Sequence, residues 1–490
     1  MKYFIIVPLY IILNLSSAFS QKQQLFINNK EIDKYISSTL EEWEVPGCAI
    51  AITKADKLLY SNGYGYRDVE NKLPVTPNTV FKIASCTKSF TAAATGLLVN
   101  QNILDWNEPV KKYLPELEFS TTELTNSTTL RDLLNHRTGI IDDDWSWVGD
   151  HIDAKRMLEI LSAMPQGQSF RSGYYYNNMA YALAGYLSTV KTNSSWRDLI
   201  RKFFFEPLSM TSSLFSHNEL SEIDNFSYGY EWNDSLKTFI RGNLSEHLTD
   251  SLSVCEPFAF ISSSANDLAK WLQMFLNKGN FGGKQIIPKV IFKELVKPVN
   301  YMYAPKYPEL AEGHYCMGWE KNYYKRYPLM QHSGGLTGFK SYMSYMPEDS
   351  IGIVVLCNGQ PYRFAEAVSY DLYDMILGLT RTAWSDRFLA EQKNNKQEKE
   401  KPETEINGTH PSLDLSAYAG VYFSKLFGTM KVVNENGELY FIFHSYPKEI
   451  MKHAHYDTFI SESGRITFRL NHDGEITGML LNEYGFDRIQ

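Results

Sequence analysis

The sequence predicts an α+β protein, with one large mixed unit over residues 25–385 followed by a small all-β domain over 413–490. Three observations carry this. Strand-like runs stand at both ends of the large unit, at Cys48–Thr53 and Ile351–Cys357, and helical patterns fill its middle. A charged segment over 386–412 contains EQKNNKQEKEKPETE, which has no aromatic or large apolar residue with which to bury surface, so it reads as an exposed linker. Beyond it, Asn436-Gly437 and Asp473-Gly474 sit between alternating runs such as Leu439–Phe443 and Ile466–Leu470, a strong signal for hairpins.

Taken in chain order, the first segment is an N-terminal leader. Met1-Lys2 precedes an apolar run from Phe4 to Leu15 and small residues ending Ala18-Phe19-Ser20, the pattern of a secretory signal peptide over residues 1–20. The expected location is therefore periplasmic or extracellular, with no membrane span after cleavage because no second run of about 18 apolar residues follows. A helix is expected near Glu31–Glu44, and Cys48–Thr53 with Lys57–Tyr60 reads as a hairpin around Ala55-Asp56. Helical spacing returns at Ser85–Leu98 and again after Asn178. A third helix should start at Ser264, with Asp267 three residues on, and stop at Gly279. The run Ile351–Cys357 is apolar throughout and should be a strand buried on both faces.

Composition narrows the function. Of 490 residues, 48 are Lys or Arg and 56 are Asp or Glu, for a net charge of −8, with 43% hydrophobic residues. That balance is ordinary for a globular protein and argues against a nucleic-acid partner. The five cysteines, Cys48, Cys86, Cys255, Cys316 and Cys357, show no Cys-x-x-Cys spacing, so neither a metal site nor a disulfide framework is indicated.

Three short motifs could carry chemistry. In FKIASCTKSFTAAATGLL, Ser85 opens a helical pattern and Lys88 lies one turn along on the same face. A serine hydroxyl needs a base, and burial can lower a lysine amine from its usual pKa of about 10.4 into that role. Two other Ser-x-x-Lys matches, Ser188/Lys191 and Ser445/Lys448, lack this setting: Ser188 falls at a helix tail, and Pro447 opposes a helix. In FRSGYYYNNMAYALAGYL, a tyrosine beside a lysine can have its phenol lowered and pass a proton, and an Asn amide can hold a carbonyl. Both Tyr175-Tyr176-Asn177 and Tyr176-Asn177-Asn178 fit Tyr-x-Asn. In QHSGGLTGF, Gly334 and Gly335 after His332 allow backbone N–H groups to approach a ligand closely. His136, in LLNHRTGI, invites a catalytic-triad reading. Asp142–Asp144 read as a solvated turn, and Trp145 and Trp147 as a wall of the cleft.

The order Ser-x-x-Lys, Tyr-x-Asn, His-x-Gly, with intervals of 91 and 156 residues, accompanies VPGCAIAI, GYGYRD, ILDWNEPVKKYLP, TLRDLLNHRTGI, EPLSMTSS and SSSANDLAKWL. Together these resemble the serine β-lactamase and penicillin-binding protein family, in the class C-like (CubicO) branch that also holds D-aminopeptidases, DD-carboxypeptidases and esterases. The resemblance covers roughly Val45 to Leu379. It implies a β-lactamase/transpeptidase-like fold, an antiparallel sheet flanked by helices plus a helical subdomain. It also sets the register, because Tyr181 and Gly185 stand at the family's positions after Tyr176.

By the same resemblance, Ser85 is the acylated nucleophile, Lys88 its proton acceptor and Tyr176 the proton relay. Asn178 orients the substrate, His332 lines the third wall, and Gly334 and Gly335 belong to the oxyanion side, with the N–H groups of Ser85 and Gly335 forming the hole. The LLNHRTGI block looks structural in the family, so packing and hydrogen bonding are the expected role of His136, and no metal or organic cofactor is implied. The expected activity is hydrolysis of an amide or ester through an acyl-enzyme, in small peptides or D-amino-acid derivatives. The alternatives are a carboxylesterase or an inactive binding or scaffold protein, and homo-oligomerisation stays open. Two departures matter. His332 stands where β-lactamases carry Lys, which removes a fixed charge for a β-lactam carboxylate and predicts slow or absent antibiotic hydrolysis. Glu256-Pro257-Phe258-Ala259-Phe260 replaces a run of small residues and should reshape the floor of the site. The terminal β domain resembles the lipocalin-like domains found behind such hydrolases.

Overall fold

The computed structural model describes residues 25, 27–143, 146–147, 152–215, 219–220, 222–233, 235–242, 254–399, 406, 408–444 and 447–489. The leader at 1–20, Asp144, Trp145 and residues 400–405 of the expected linker lie outside the described residues.

The strand Gly47–Lys54 explains how the two ends of the large unit come together. It pairs antiparallel with Lys57–Asp68 on one side and with Ile351–Cys357 on the other, with Cys48 opposite Cys357 and Ile50 opposite Val355. These are the sixth to eighth strands of a nine-stranded sheet, which runs from Asn300–Tyr303 through Gly313–Tyr315, Glu320–Tyr324, Tyr327–Leu336 and Phe339–Met346 to Leu73–Pro74 at the far edge. Successive side chains of a strand point to opposite faces. Cys48, Ile50 and Ile52 therefore enter a core with the helices Asn29–Glu42 and Phe364–Leu377, whereas Ala49 and Ala51 enter a second core with Lys88–Asn100 and Ala265–Leu276. Ile351–Cys357 is buried at every position, as its unbroken apolar run requires. Each large aliphatic side chain so buried contributes roughly 1.5–3 kcal/mol.

Local signals set the helix starts. Ser264 caps Ala265–Leu276 by accepting from Asp267 N, and Asn177 caps Asn178–Thr192 by accepting from Ala180 N. Ser188 lies within the latter helix and donates to Ala184 O. The nucleophile segment departs from expectation, since Ser85 does not open an α-helix. It lies in the single 3₁₀ turn Ala84–Thr87, and the α-helix begins at Lys88. The first part of the expected linker also differs, because Trp384–Lys399 is a helix. Trp384 and Phe388 anchor it in the core, and Glu391 accepts from Lys306 Nζ at 2.9 Å and from Tyr307 Oη. Composition alone had signalled solvent there, while the apolar anchors lie upstream of the charged run. All five cysteines are buried and outside any disulfide. Among the described residues no helix is long and apolar enough to cross a membrane.

The C-terminal strands close into an eight-stranded barrel from Gly420–Ser424 to Tyr484–Arg488, with Tyr422 opposite Arg488 completing the ring. Met430, Phe441, Phe443, Phe468, Met479 and Phe486 fill its interior. Asn436 and Gly437 both take positive φ, 54° and 85°, as a tight Asn-Gly hairpin turn demands. The barrel rests on the helical part of the large unit. Arg156 donates to Lys425 O at 2.8 Å and to Leu426 O at 2.9 Å.

Candidate active site

The 3₁₀ turn holding Ser85 is cornered between two strands. Ala84 sits in the left-handed region with φ 48°, a conformation that costs energy in a non-glycine residue and that surrounding packing must hold. Gly334, on Tyr327–Leu336, packs against that turn, where a Cβ would lie 2.3 Å from Ile83 O and 3.1 Å from Ala84 Cβ. Only glycine permits this approach. The same strand pairs with Glu320–Tyr324 only through Gln331, so beyond that residue its edge on this side is left unpaired by its neighbour.

Lys88 is fully buried, yet its Nζ lies 3.1 Å from Ser85 Oγ, 2.7 Å from Asn178 Oδ1 and 3.1 Å from Phe258 O. Two of these partners can only accept, whereas the serine hydroxyl can donate or accept. An amine that has given up its extra proton can donate to Asn178 and Phe258 and turn its lone pair to the Ser85 hydroxyl, the arrangement a general base requires. The rings of Tyr176, Phe258 and Tyr181 surround the amine at 4.8, 5.3 and 5.6 Å from their centroids. Phe258, flagged in sequence as bulk in the floor, thus walls the lysine and packs edge-on against Trp147 at 5.0 Å.

Tyr176 hydrogen-bonds Ser85. The expectation of a lowered phenol is reversed: burial pushes it well above its ordinary value, and nearby Tyr181, Glu320 and Asp142 add to that rise. Tyr176 is therefore a neutral phenol at rest. Asn178 faces Lys88 through its Oδ1, which accepts from Nζ and holds the amine in place. Its backbone N donates to Asp142 Oδ2, which corrects the solvated-turn reading, since Asp142 holds the start of the helix. Asp143 then hydrogen-bonds Tyr484 of the barrel.

His332 is buried. Its Nδ1 lies 2.7 Å from Ser333 O and its Nε2 3.1 Å from the Tyr315 hydroxyl, an arrangement in which Nδ1–H donates and Nε2 accepts. Burial, with the Lys88 charge beside it, lowers its pKa to about 3, so it supplies no positive charge near neutrality. His136 is no triad member: its Nδ1 accepts from Asn177 N at 3.1 Å, and its Nε2 has no hydrogen-bond partner among the described residues. Its ring packs 4.3 Å from that of Tyr176. The structure therefore brings Ser85, Lys88, Tyr176, Asn178, His332 and Gly334 together, and Gly335 follows on the same strand. Sequence reasoning missed the Phe258 carbonyl, Tyr315 and the capping role of Asp142. The first and last lay within runs already singled out, whereas nothing marked Tyr315.

Comparison with known proteins places this geometry. A search of the curated proteins finds the unguisins hydrolase ungD of Aspergillus violaceofuscus, 26% identical over 447 residues that cover 82% of this chain and 76% of that protein. Protein flp of Staphylococcus aureus is 29% identical over 339 residues, 68% of this chain, and the match spans 63% of flp's own length. Among solved structures, the octameric penicillin-binding protein homologue from Pyrococcus abyssi superposes with TM-score 0.63 at 20% identity, covering 94% of this chain and all of that one. The D-amino acid amidase from Ochrobactrum anthropi SV3 does so with TM-score 0.58 at 21% identity, over 76% of this chain and all of that one. Residues 404–490 match a domain of unknown function, DUF3471. With residues 32–373 matching the Beta-lactamase family, more than half of its length, this chain belongs to the beta-lactamase family of serine hydrolases.

Proposed function

We propose that this protein is an exported serine hydrolase that cleaves an amide or ester through a Ser85 acyl-enzyme, with small peptides or D-amino-acid derivatives as substrates. The observation that carries the reading is the Lys88 environment, in which the buried Nζ lies 3.1 Å from Ser85 Oγ while Asn178 Oδ1 and Phe258 O accept from it. Lys88 takes the serine proton as Oγ attacks the carbonyl carbon. The N–H groups of Ser85 and Gly335 receive the developing oxyanion. Tyr176, a neutral phenol hydrogen-bonded to Ser85, gives its proton to the leaving group and regains one from Lys88. Water then attacks the acyl carbon, its proton passing to the Tyr176 oxygen as the Tyr176 proton moves to the neutral Lys88 amine, and Lys88 returns that proton to Ser85 Oγ as the acyl–oxygen bond breaks. The relatives named a hydrolase and a D-amino acid amidase support the choice of amide bonds. A neutral His332 on the third wall supports poor handling of β-lactam carboxylates.

The test is intact-mass analysis after exposure to a fluorophosphonate and, separately, to a penicillin. An adduct mapped to Ser85 from the fluorophosphonate, absent in Ser85→Ala, is the expected result, and labelling that survives in Ser85→Ala would overturn the assignment. A stable penicillin adduct would move the reading towards penicillin-binding enzymes.

A further inference from the structure

A cavity of about 360 Å³ opens beside the third-motif strand, lined by Ser333, Gln331, Glu320, Tyr303, Tyr342 and Arg363 among others. Ser333 joins it to the catalytic centre. It follows His332 in the strand and precedes Gly334, which packs against the nucleophile turn. Ser333 is thus one residue, roughly 3.3 Å along the strand, from the glycine that packs against that turn. Glu320 is also one of the negative groups that raise the Tyr176 phenol, so its field reaches the catalytic centre.

The charges on the cavity wall divide into satisfied and unsatisfied. Arg363 donates to both oxygens of Glu366, at 2.7 and 2.9 Å, and to the Tyr307 hydroxyl at 3.1 Å. Lys306 is held by Glu391 at 2.9 Å. Glu320 has no ion-pair partner among the described residues, and its one hydrogen bond comes from Gln331 Nε2 at 3.2 Å to Oε2. Gln331 is locked in that orientation because its Oε1 accepts from the hydroxyls of Tyr342 and Tyr370. A carboxyl is thus held in place, with one oxygen uncommitted, among tyrosine rings that favour a cation on their faces. Burial, opposed by the Gln331 hydrogen bond and reinforced by Glu366, raises its pKa to about 7, the behaviour of a carboxyl lacking its counter-ion. A carboxyl drawn partly out of water without an ion-pair partner is costly, and an arriving cation removes that cost.

We propose that this cavity binds the ammonium group of an amine-bearing substrate, with Glu320 as its counter-ion and Ser333, Tyr303 and Tyr342 as its surround. The inference rests on the amide-hydrolase reading and names the substrate class: amides or peptides with a free amine near the scissile bond, in preference to their N-acylated forms.

The test is protection of Ser85 from fluorophosphonate labelling by D-phenylalanine amide and, separately, by N-acetyl-D-phenylalanine amide, in the wild type, Glu320→Gln and Glu320→Asp. The expected result is protection by the free amine at a concentration at least about tenfold lower than by the acetylated form, the scale of a hydrogen bond to a charged group. Glu320→Gln should abolish that difference and Glu320→Asp, which keeps the charge but withdraws it, should retain part of it. Equal protection by the two compounds in the wild type, or a full difference persisting in Glu320→Gln, would overturn the proposal. Should Glu320→Gln fail to fold, the wild-type comparison and Glu320→Asp still decide. If Ser85 is not labelled at all, the hydrolase reading fails by itself, and calorimetric titration of the same two compounds decides the ammonium site independently.

Discussion

Replacing Gly334 with alanine isolates the contact between the third-motif strand and the nucleophile. A Cβ there would stand 2.3 Å from both Ile83 O and Ser341 Oγ, where ordinary contact begins near 3.4 Å, so something must move by about 1 Å. The Ser341 hydroxyl cannot relieve the clash by itself, since it already donates to Ile83 O at 2.6 Å and the other obstacle is that main-chain carbonyl. The carbonyl leads directly into Ala84, at φ 48°, and then Ser85, so the displacement falls on the distance between Ser85 and the Gly335 amide. A shift of that size at a reacting centre costs on the order of 100-fold in rate. Overpacking of this kind costs about 1–3 kcal/mol of stability, which a unit with two cores should survive. The assay is the second-order rate of fluorophosphonate labelling at Ser85, with a thermal melt to establish folding. Gly335→Ala is the control, because its Cβ would first meet the tip of the flexible Lys340 side chain at 3.0 Å, and its rate should fall far less. A folded Gly334→Ala protein labelled at the wild-type rate would refute the reasoning.

Asn178→Ala removes the 2.7 Å acceptor of Lys88 Nζ, and labelling of Ser85 should slow by about 10–100-fold while the melting temperature changes little, because Asn177 and Asp142 still cap the helix. A lower melting temperature with an unchanged rate would make Asn178 purely structural. Acid should weaken the fold through His332. Its folded pKa of about 3 lies below the unfolded value of about 6.5, so between these the unfolded chain holds the extra proton; stability falls on acidification through that window, by up to about 1.4 kcal/mol per pH unit, and this group adds no slope above it. His136, also lowered by burial, adds to the same trend, and urea melts from pH 7 to 4 on the wild type and His332→Gln should show the variant with the shallower slope. Arg156→Ala removes two hydrogen bonds to the barrel backbone, and limited proteolysis should then release the C-terminal barrel faster; an unchanged digestion rate would show that other contacts dock it.

What was legible in the chain followed from local rules. Unbroken apolarity identified Ile351–Cys357 as a buried strand, Asn436-Gly437 marked a barrel hairpin, and Ser264 marked the helix it caps. Where a local rule met a competing contact it failed. The charged run after Glu391 extends a helix because Trp384 and Phe388 are buried upstream, and Asp142 is drawn to a helix start because the Asn178 amide lies there unpaired by the helix itself. The Tyr176 phenol moved opposite to the direction inferred from its lysine neighbour, because burial outweighs one nearby charge.

By itself, then, the sequence determined the α+β unit, the following β domain and the order of the motifs that carry Ser85, Lys88, Tyr176 and His332, since these depend on periodicity and on spacing along one chain. Only the tertiary structure decided that Phe258 O and Asn178 Oδ1 accept from Lys88 Nζ, that the Tyr315 hydroxyl meets Nε2 of His332, and that Glu320 stands beside Ser333 with no ion-pair partner among the described residues. These depend on which groups, 90 to 170 positions apart for the lysine, are packed together out of water, and desolvation sets their protonation and hydrogen bonding.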